Sequence, residues 1–249
     1  MLTNNSKLSG KDRLIVALDV PTLDQARRLI EELREHVGMF KAGLELFTSC
    51  GVELFELAGE MEVKLFFDGK FHDIPNTVAG ACRAAVRHGV DMFNIHALGG
   101  REMMQAAALA TKEESEKLRL PAKPALIAVT VLTSTAQSAL EKDLKVSLPM
   151  NAMVTHLASL AKECGLDGVV ASAHEAPVIR EALGDDFLIV TPGIRPQSAA
   201  KDDQERVVTP GDAIARGANY IVVGRPIVKA GSPVDAARRI VEELEAVSV

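Results

Sequence analysis

Short apolar runs alternate with stretches of helical spacing along almost the whole chain. The runs at residues 13–20, 39–47, 63–67, 91–97, 125–132, 167–173, 187–194 and 219–223 predict strands. They are nearly continuous in Val, Ile, Leu, Ala and Phe, as expected of strands covered on both faces. Between them apolar residues recur every three or four positions, first at Leu23, Ala26, Leu29, Ile30 and Leu33. Helices are predicted over 22–36, 49–61, 75–88, 100–118, 151–164, 175–183, 209–216 and 234–247. Eight strands alternating with eight helices in 249 residues predict an α/β chain with one catalytic-size domain, a (β/α)8 TIM barrel over residues 13–249. A polar N-terminal extension, residues 1–12, precedes it. The alternative is a doubly wound open sheet. No Gly-x-Gly-x-x-Gly follows the first strand, which argues against its dinucleotide-binding form. There is no linker and no sequence repeat beyond the βα rhythm.

The third run ends differently from the rest. Residues 65–77 read Leu-Phe-Phe-Asp-Gly-Lys-Phe-His-Asp-Ile-Pro-Asn-Thr. Three charges, Asp68, Lys70 and Asp73, follow the apolar run within six residues. Asp68 and Lys70 are two apart, so in a continuing strand they leave one face with Cα atoms about 6–7 Å apart. Pro75 stops a sheet and suits the first turn of a helix. Taken alone, Asp68 and Lys70 fit a surface ion pair, and spacing makes Asp73 the N-cap of the following helix. Their place at the carboxyl end of a buried strand changes the balance, because charges there are costly unless something uses them.

Other polar residues collect at predicted strand ends: Asp19, Lys41, His96, Thr133, Ser134, Arg195 and Arg225. In a barrel this is the face that carries chemistry. Lys41 lies early in its predicted strand, which leaves its height open. Gly193 and Gly224 follow strands seven and eight and permit close backbone approach to a ligand. The loops after those two strands are the common phosphate site of the fold, and Arg195 and Arg225 supply forked donors for a phosphate. Residues 195–206 are almost without apolar side chains and sit where a closing lid would act. His72 is expected to be solvated or structural, and His96 to make an internal hydrogen bond.

Composition narrows the classes. Net charge is −6 with no Lys/Arg block, which argues against a nucleic-acid surface. No apolar run is long enough to span a membrane, and residues 1–12 lack the apolar core of a signal peptide. Cys50, Cys82 and Cys164 are odd in number and widely spaced, so they predict buried thiols in a reducing cytoplasm, with no disulfide framework and no zinc site.

With Asp68-x-Lys70-x-x-Asp73-Ile74-Pro75-Asn76-Thr77 in place, nearly the whole chain resembles orotidine 5′-monophosphate decarboxylases of the bacterial, stand-alone type. The resemblance also runs through Ala17-Leu18-Asp19, Phe40-Lys41-Ala42-Gly43, Asn94-Ile95-His96-Ala97, Val131-Leu132-Thr133-Ser134, Thr191-Pro192-Gly193-Ile194-Arg195 and Val222-Val223-Gly224-Arg225. Asp-x-Lys-x-x-Asp alone is shared with other barrel decarboxylases and aldolases; joined to Ile74–Thr77 and Lys41 it is specific. Gly69 stands where the family often has a larger apolar residue.

The resemblance implies decarboxylation of orotidine 5′-monophosphate to uridine 5′-monophosphate and carbon dioxide, with no cofactor and no metal. It implies that Lys70 protonates C6 within an alternating charge network of Lys41, Asp68, Lys70 and Asp73. It assigns Asp19 and Lys41 to the ribose hydroxyls and Thr133 and Ser134 to the edge of the base. Arg195, Gln204, Gly224 and Arg225 go to the phosphate, with Gln204 reaching from the lid. It implies a homodimer in which Asp73 and Thr77 complete the neighbouring site. Two other readings are kept open: a metal-dependent sugar-phosphate lyase of the same barrel superfamily, and a non-catalytic nucleotide-binding protein. Lyase relatives place an acid where Lys41 stands.

Overall fold

The computed structural model describes residues 8–196 and 208–247. Eight parallel strands close into a barrel in chain order: β1 (Leu14–Ala17), β2 (Met39–Gly43), β3 (Leu65–Phe71), β4 (Met92–His96), β5 (Ala125–Val129), β6 (Gly168–Val170), β7 (Leu188–Pro192) and β8 (Tyr220–Val223). β8 pairs with β1, so the sheet has no free edge and the open doubly wound alternative is excluded. Helices fill the crossovers: α1 (Gly10–Arg13), α2 (Leu23–Leu33), α3 (Leu44–Cys50), α4 (Glu53–Glu60), α5 (Pro75–Arg87) and α6 (Gly100–Lys117) in the first half. The second half has α7 (Gln137–Lys142), α8 (Met150–Glu163), α9 (Ala176–Leu183), α10 (Pro210–Ala215), α11 (Arg225–Val228) and α12 (Pro233–Val247).

All eight predicted strands and all eight predicted helices are present, with shifted ends. The run at 39–47 is a strand only to Gly43; Leu44 onward is helical, and the stretch to Glu60 divides into α3 and α4. Gly51, at φ 61°, separates the two helices in a conformation that L side chains rarely adopt. The third strand runs further than its apolar run, through Asp68 and Lys70 to Phe71. The expected extension at 1–12 contributes α1, whose N-cap Ser9 and Asp12 bond reciprocally across the first turn.

Two apolar layers follow from period-two alternation on the strands. The outer layer lies between sheet and helices; the inner one fills the barrel with Ile15, Met39, Phe66, Met92, Ile127 and Tyr220 among others. Along the strand direction the inward columns of β2, β3 and β4 change character. Met39 is followed two residues on by Lys41, Phe66 by Asp68, and Met92 by Asn94. The amino-terminal half of the barrel is therefore apolar, and the carboxyl-terminal half carries the charges.

The amino-terminal end is held by a device used three times. Asp91 donates its N–H to the carbonyl of Leu65 and accepts the N–H of Leu65 on its own carboxylate, both at 2.9 Å. Asp167 does the same to Leu126, at 2.8 and 2.9 Å. Asn219 does the same to Ile189, at 2.8 Å for both bonds. Each clasping residue immediately precedes an even-numbered strand and grips the start of the odd strand before it. The fourth such position is Gly38, before β2. Its N–H reaches Leu14 O at 3.1 Å, and the N–H of Leu14 is instead taken by Lys11 O at the end of α1. A side chain at Gly38 would meet the backbone of Lys11 and Asp12 at 2.7 Å, so α1 occupies the space the clasp uses elsewhere. No helix among the described residues is long and apolar enough to cross a membrane.

Candidate active site

Lys41, at the middle of β2, is buried and points into the upper barrel. Its Nζ lies 3.2 Å from Asp19 Oδ1 and 3.2 Å from Asp68 Oδ2. Lys70 Nζ lies 2.6 Å from the other oxygen of the same carboxylate, Asp68 Oδ1. One carboxylate thus bridges two ammonium groups, and Asp19 extends the line to four alternating charges. Asp68 is the most enclosed acid of the set, at 13% side-chain exposure, while Lys70 keeps 30%. Burial pushes the Asp68 carboxyl up; the charges of Lys41 and Lys70, with hydrogen bonds from Lys70 and Asn94, outweigh it and hold the group below its usual range. Gly43 leaves room beside the cluster: a Cβ there would lie 3.1 Å from Lys41 Nζ, closer than an ordinary contact.

Lys70 does not reach Asp68 by simple alternation. β3 pairs with β4 through Phe67 to Phe93 and then through Phe71 to Ile95, so Asp68, Gly69 and Lys70 together stand against Asn94 alone. Lys70 absorbs this bulge at φ 48°, a left-handed conformation costing a non-glycine residue on the order of 1 kcal/mol. The fully buried Asn94 fills the gap in the ladder. Its Oδ1 accepts the backbone N–H of Lys70 at 2.7 Å, and its Nδ2 donates to Asp68 Oδ1 at 2.7 Å. A backbone N–H can only donate and a carboxylate only accept, so the amide has one usable orientation. Asn94 belongs to the resemblance but drew no functional expectation. Its sequence signal is a lone polar residue in the otherwise apolar stretch Met92-Phe93-Asn94-Ile95.

Gly69 faces outward, into the helix layer. A Cβ there would meet ring carbons of Phe67 and Phe71 at 2.9 Å, and the two rings pack edge-on with centroids 5.8 Å apart. The aromatic residues occupy the space that a larger side chain would take.

A cavity of about 210 Å³ opens above this cluster, lined by Lys41, Asp68, Lys70, Thr133 and the apolar Val131, Val190 and Val222 among others. A second, of about 530 Å³, is lined by Asp19, Gly193, Arg195, Gly224 and Arg225. They share Val222, and Pro192 of the first is followed by Gly193 of the second, so they are neighbouring compartments of one cleft. Gly193 sits at φ 77°, and a Cβ on Gly224 would lie 3.4 Å from Asp19 Oδ2. Arg225 opens the short helix α11, which was not anticipated. A third cavity, at the amino end, carries Lys11, Arg34 and Lys64 against Asp12, Glu35 and Glu62, and is remote from this cluster.

The structure therefore brings together Asp19, Lys41, Asp68, Lys70, Thr133, Arg195, Gly224 and Arg225. Ser134 is exposed and does not line the cleft. Asp73 and Thr77 are exposed, and neither lines the cleft of its own chain. Asp73 does not cap α5 as spacing alone favoured; the N-cap is Ile74, with no side-chain bond to the helix. Gln204 and all of the expected lid beyond Pro196 lie outside the described residues. His72 is exposed, and its ring lies 5.3 Å from that of His96. Burial first, then the charges of His72 and Lys70, lower the His96 pKa. His96 Nδ1 is buried without a hydrogen-bond partner among the described residues, so the internal bond expected of it is not made there. Among the described residues no three His, Cys, Asp or Glu side chains are grouped as metal ligands. The three cysteines are free; Cys82 and Cys164 are buried, and Cys50 is half-buried.

Comparison with known proteins agrees with this geometry. The family model described as "Orotidine 5'-phosphate decarboxylase / HUMPS family" matches residues 12–240. The chain is 52% identical to an orotidine 5'-phosphate decarboxylase of Moorella thermoacetica, over 97% of this chain and 95% of the relative. It is 48% identical to one of Syntrophomonas wolfei, over 96% of this chain and 100% of the relative. Among solved structures, orotidine 5'-phosphate decarboxylase from Lactobacillus acidophilus superposes with a TM-score of 0.81 at 37% identity, covering 93% of this chain and 98% of that one. By its barrel, its charged cluster and this likeness, the chain belongs to the orotidine 5'-phosphate decarboxylase / HUMPS family.

Proposed function

We propose that this protein converts orotidine 5′-monophosphate to uridine 5′-monophosphate and carbon dioxide, without a cofactor, and that Lys70 is the proton donor. The observation that carries the reading is the pair of ammonium groups held on opposite oxygens of Asp68, beside an arginine-lined compartment of the same cleft.

The chemistry demands such an arrangement. When the bond from C6 to the carboxylate breaks, its electron pair stays on C6 in an orbital in the ring plane, with no attached electron sink. A fixed ammonium at C6 stabilises that charge and then gives up a proton: an N–H bond breaks, the C6–H bond forms, and neutral Lys70 regains its proton from water. Asp68 keeps the Lys70 ammonium aimed and faces the departing carboxylate, repelling it before reaction and less as carbon dioxide leaves. Asp19 and Lys41 hold the ribose hydroxyls, Thr133 borders the base, and Arg195, Gly224, Arg225 and Gln204 take the phosphate; Ser134, exposed outside the cleft, would reach the base only if its loop moved inward. Binding energy from that remote group helps organise the reacting end.

The active unit is a twofold dimer in which Asp73 and Thr77 of one protomer complete the cleft of the other. The exposure of both, together with exposed Leu44, Ile74 and Leu98 beyond three successive strands on this face, supports that assembly. A reducing cytoplasm suits its free cysteines.

The test is an absorbance assay on orotidine 5′-monophosphate, with parent and Lys70→Ala, before and after exhaustive chelation. The parent should turn over equally in both conditions. Lys70→Ala activity within about tenfold of the parent, about 1.4 kcal/mol of barrier, overturns the role of Lys70. Activity lost on chelation and restored by magnesium would favour a metal-dependent lyase. Binding of uridine 5′-monophosphate without any turnover would favour a nucleotide-binding protein.

A further inference from the structure

β3 carries three residues against one on β4, and that one is Asn94. Its amide touches both ends of the mismatch, the carboxylate of Asp68 and the backbone N–H of Lys70, each at 2.7 Å. Asn94 is fully buried and has no route to solvent. We infer that Asn94 is the positioning residue of this site: it holds the backbone bulge that presents Lys70, and it fixes the carboxylate that aims the Lys70 ammonium.

Two features make the assignment specific. The bulge leaves the Lys70 N–H without a ladder partner, and an unpaired buried amide is expensive, so some acceptor must stand there. A threonine or serine would have to accept and donate through one hydroxyl oxygen, whereas the amide places its acceptor and its donor on separate atoms, one for each end of the mismatch. Both oxygens of Asp68 are then engaged: Oδ2 faces Lys41, and Oδ1 takes both Lys70 and Asn94. The carboxylate cannot swing away from Lys70 without breaking its bond to β4. Asn94 acts through Lys70 and Asp68 and touches no reacting atom itself.

The inference rests on the decarboxylase reading for its kinetic consequences, but not for its structural ones. The charged and titratable groups around Asp68 are Lys41 from β2, Lys70 from β3, and His96 from β4, with Asp19 behind Lys41 and His72 beside His96. Asn94→Ala removes both bonds. Asn94→Asp keeps an acceptor for the Lys70 N–H and puts a second carboxylate against Asp68, where the two must share a proton.

The experiment measures kcat and KM across pH for parent, Asn94→Ala and Asn94→Asp, and follows the 13C carboxyl resonance of Asp68 in each full-length protein. Expected for Asn94→Ala is a fall in kcat of about 100-fold with KM changed less than about threefold, since the phosphate and ribose contacts are untouched. In Asn94→Asp the acid limb of kcat/KM should move to higher pH, and the Asp68 resonance should titrate higher in both variants. If Asn94→Ala retains kcat within about twofold of the parent, or if Asp68 titrates as in the parent, the positioning role is wrong. Should Asn94→Ala fail to fold, Asn94→Asp decides alone: an unmoved acid limb and resonance overturn the role. A parent without decarboxylase activity defeats the functional reading instead, and the Asp68 titration still tests Asn94.

Discussion

The Asp73 carboxylate accepts the backbone N–H of Ile74, 2.6 Å away, and forms no ion pair with Lys70 of its own chain. Only two residues separate Asp73 from Lys70, yet the strand has ended and Asp73 is exposed at the barrel rim. In a twofold dimer this places its charge at a neighbour's disposal. Mixing inactive Lys70→Ala chains with inactive Asp73→Ala chains should then restore activity, because each mixed dimer holds one site with both lesions and one with neither. Activity approaching half of the parent per mixed dimer is expected. Mixed dimers verified by mass spectrometry but silent in the assay would show that Asp73 acts in its own chain.

Gly69 supports a second expectation, on stability. Gly69→Ala gains about 0.4–1 kcal/mol by restricting the unfolded chain. Against this, the new Cβ meets Phe67 and Phe71 at 2.9 Å, and overpacking costs about 1–3 kcal/mol. The clash should win in the parent background, lowering the denaturation midpoint. In a Phe71→Leu background the clash is relieved on one side, so the same substitution should cost less or become stabilising. Equal effects in both backgrounds would mean that the two rings do not govern what position 69 tolerates.

Alkaline stability provides a third. Burial pushes the Cys82 thiol up to about 12 from 9.0, and burial, then the charge of Asp12, pushes the Tyr220 hydroxyl up to about 12 from 10.0. Both folded values lie above the unfolded ones, so each group contributes stability that is complete below its unfolded pKa. That contribution is lost as pH climbs from about 9 towards 12. Denaturant midpoints should fall across this window, and Cys82→Ala should flatten the fall while lowering stability at neutral pH. A parent slope unchanged by Cys82→Ala would remove the thiol from the account.

Much of this was legible in the sequence because the signal was local. Unbroken apolar runs spaced by amphipathic stretches gave eight strands and eight helices, and charges behind a buried run marked Asp68 and Lys70. What stayed hidden depends on partners distant in the chain. Leu44 to Phe47 is apolar enough to continue a strand, and only the packed barrel ends β2 at Gly43. The bulge at Lys70 is a mismatch between two strands and has no trace in either alone. Asn94 is silent for the same reason: a polar residue inside a strand acquires meaning only when the neighbouring strand is known. Asp73 misled because a helix follows it at capping distance, whereas Pro75 at the first helical position makes Ile74 the cap.

The clasp at Leu65 has a mechanical consequence for the other end of the same strand. Asp91 grips both the N–H and the carbonyl of Leu65, three residues before Asp68. Surplus residues in a strand, two of them here, ordinarily relax by sliding, with the slack passed along until it leaves at an end. Here one end is tied off: letting both extra residues out that way would break the two bonds between Leu65 and Asp91 and the register of Phe66 with Met92, and letting out only one would turn Phe66 out of the barrel and Phe67 into it. The slack between Phe67 and Phe71 is trapped where it stands. The left-handed kink at Lys70 thus persists because a knot at the floor of the barrel leaves it nowhere else to go.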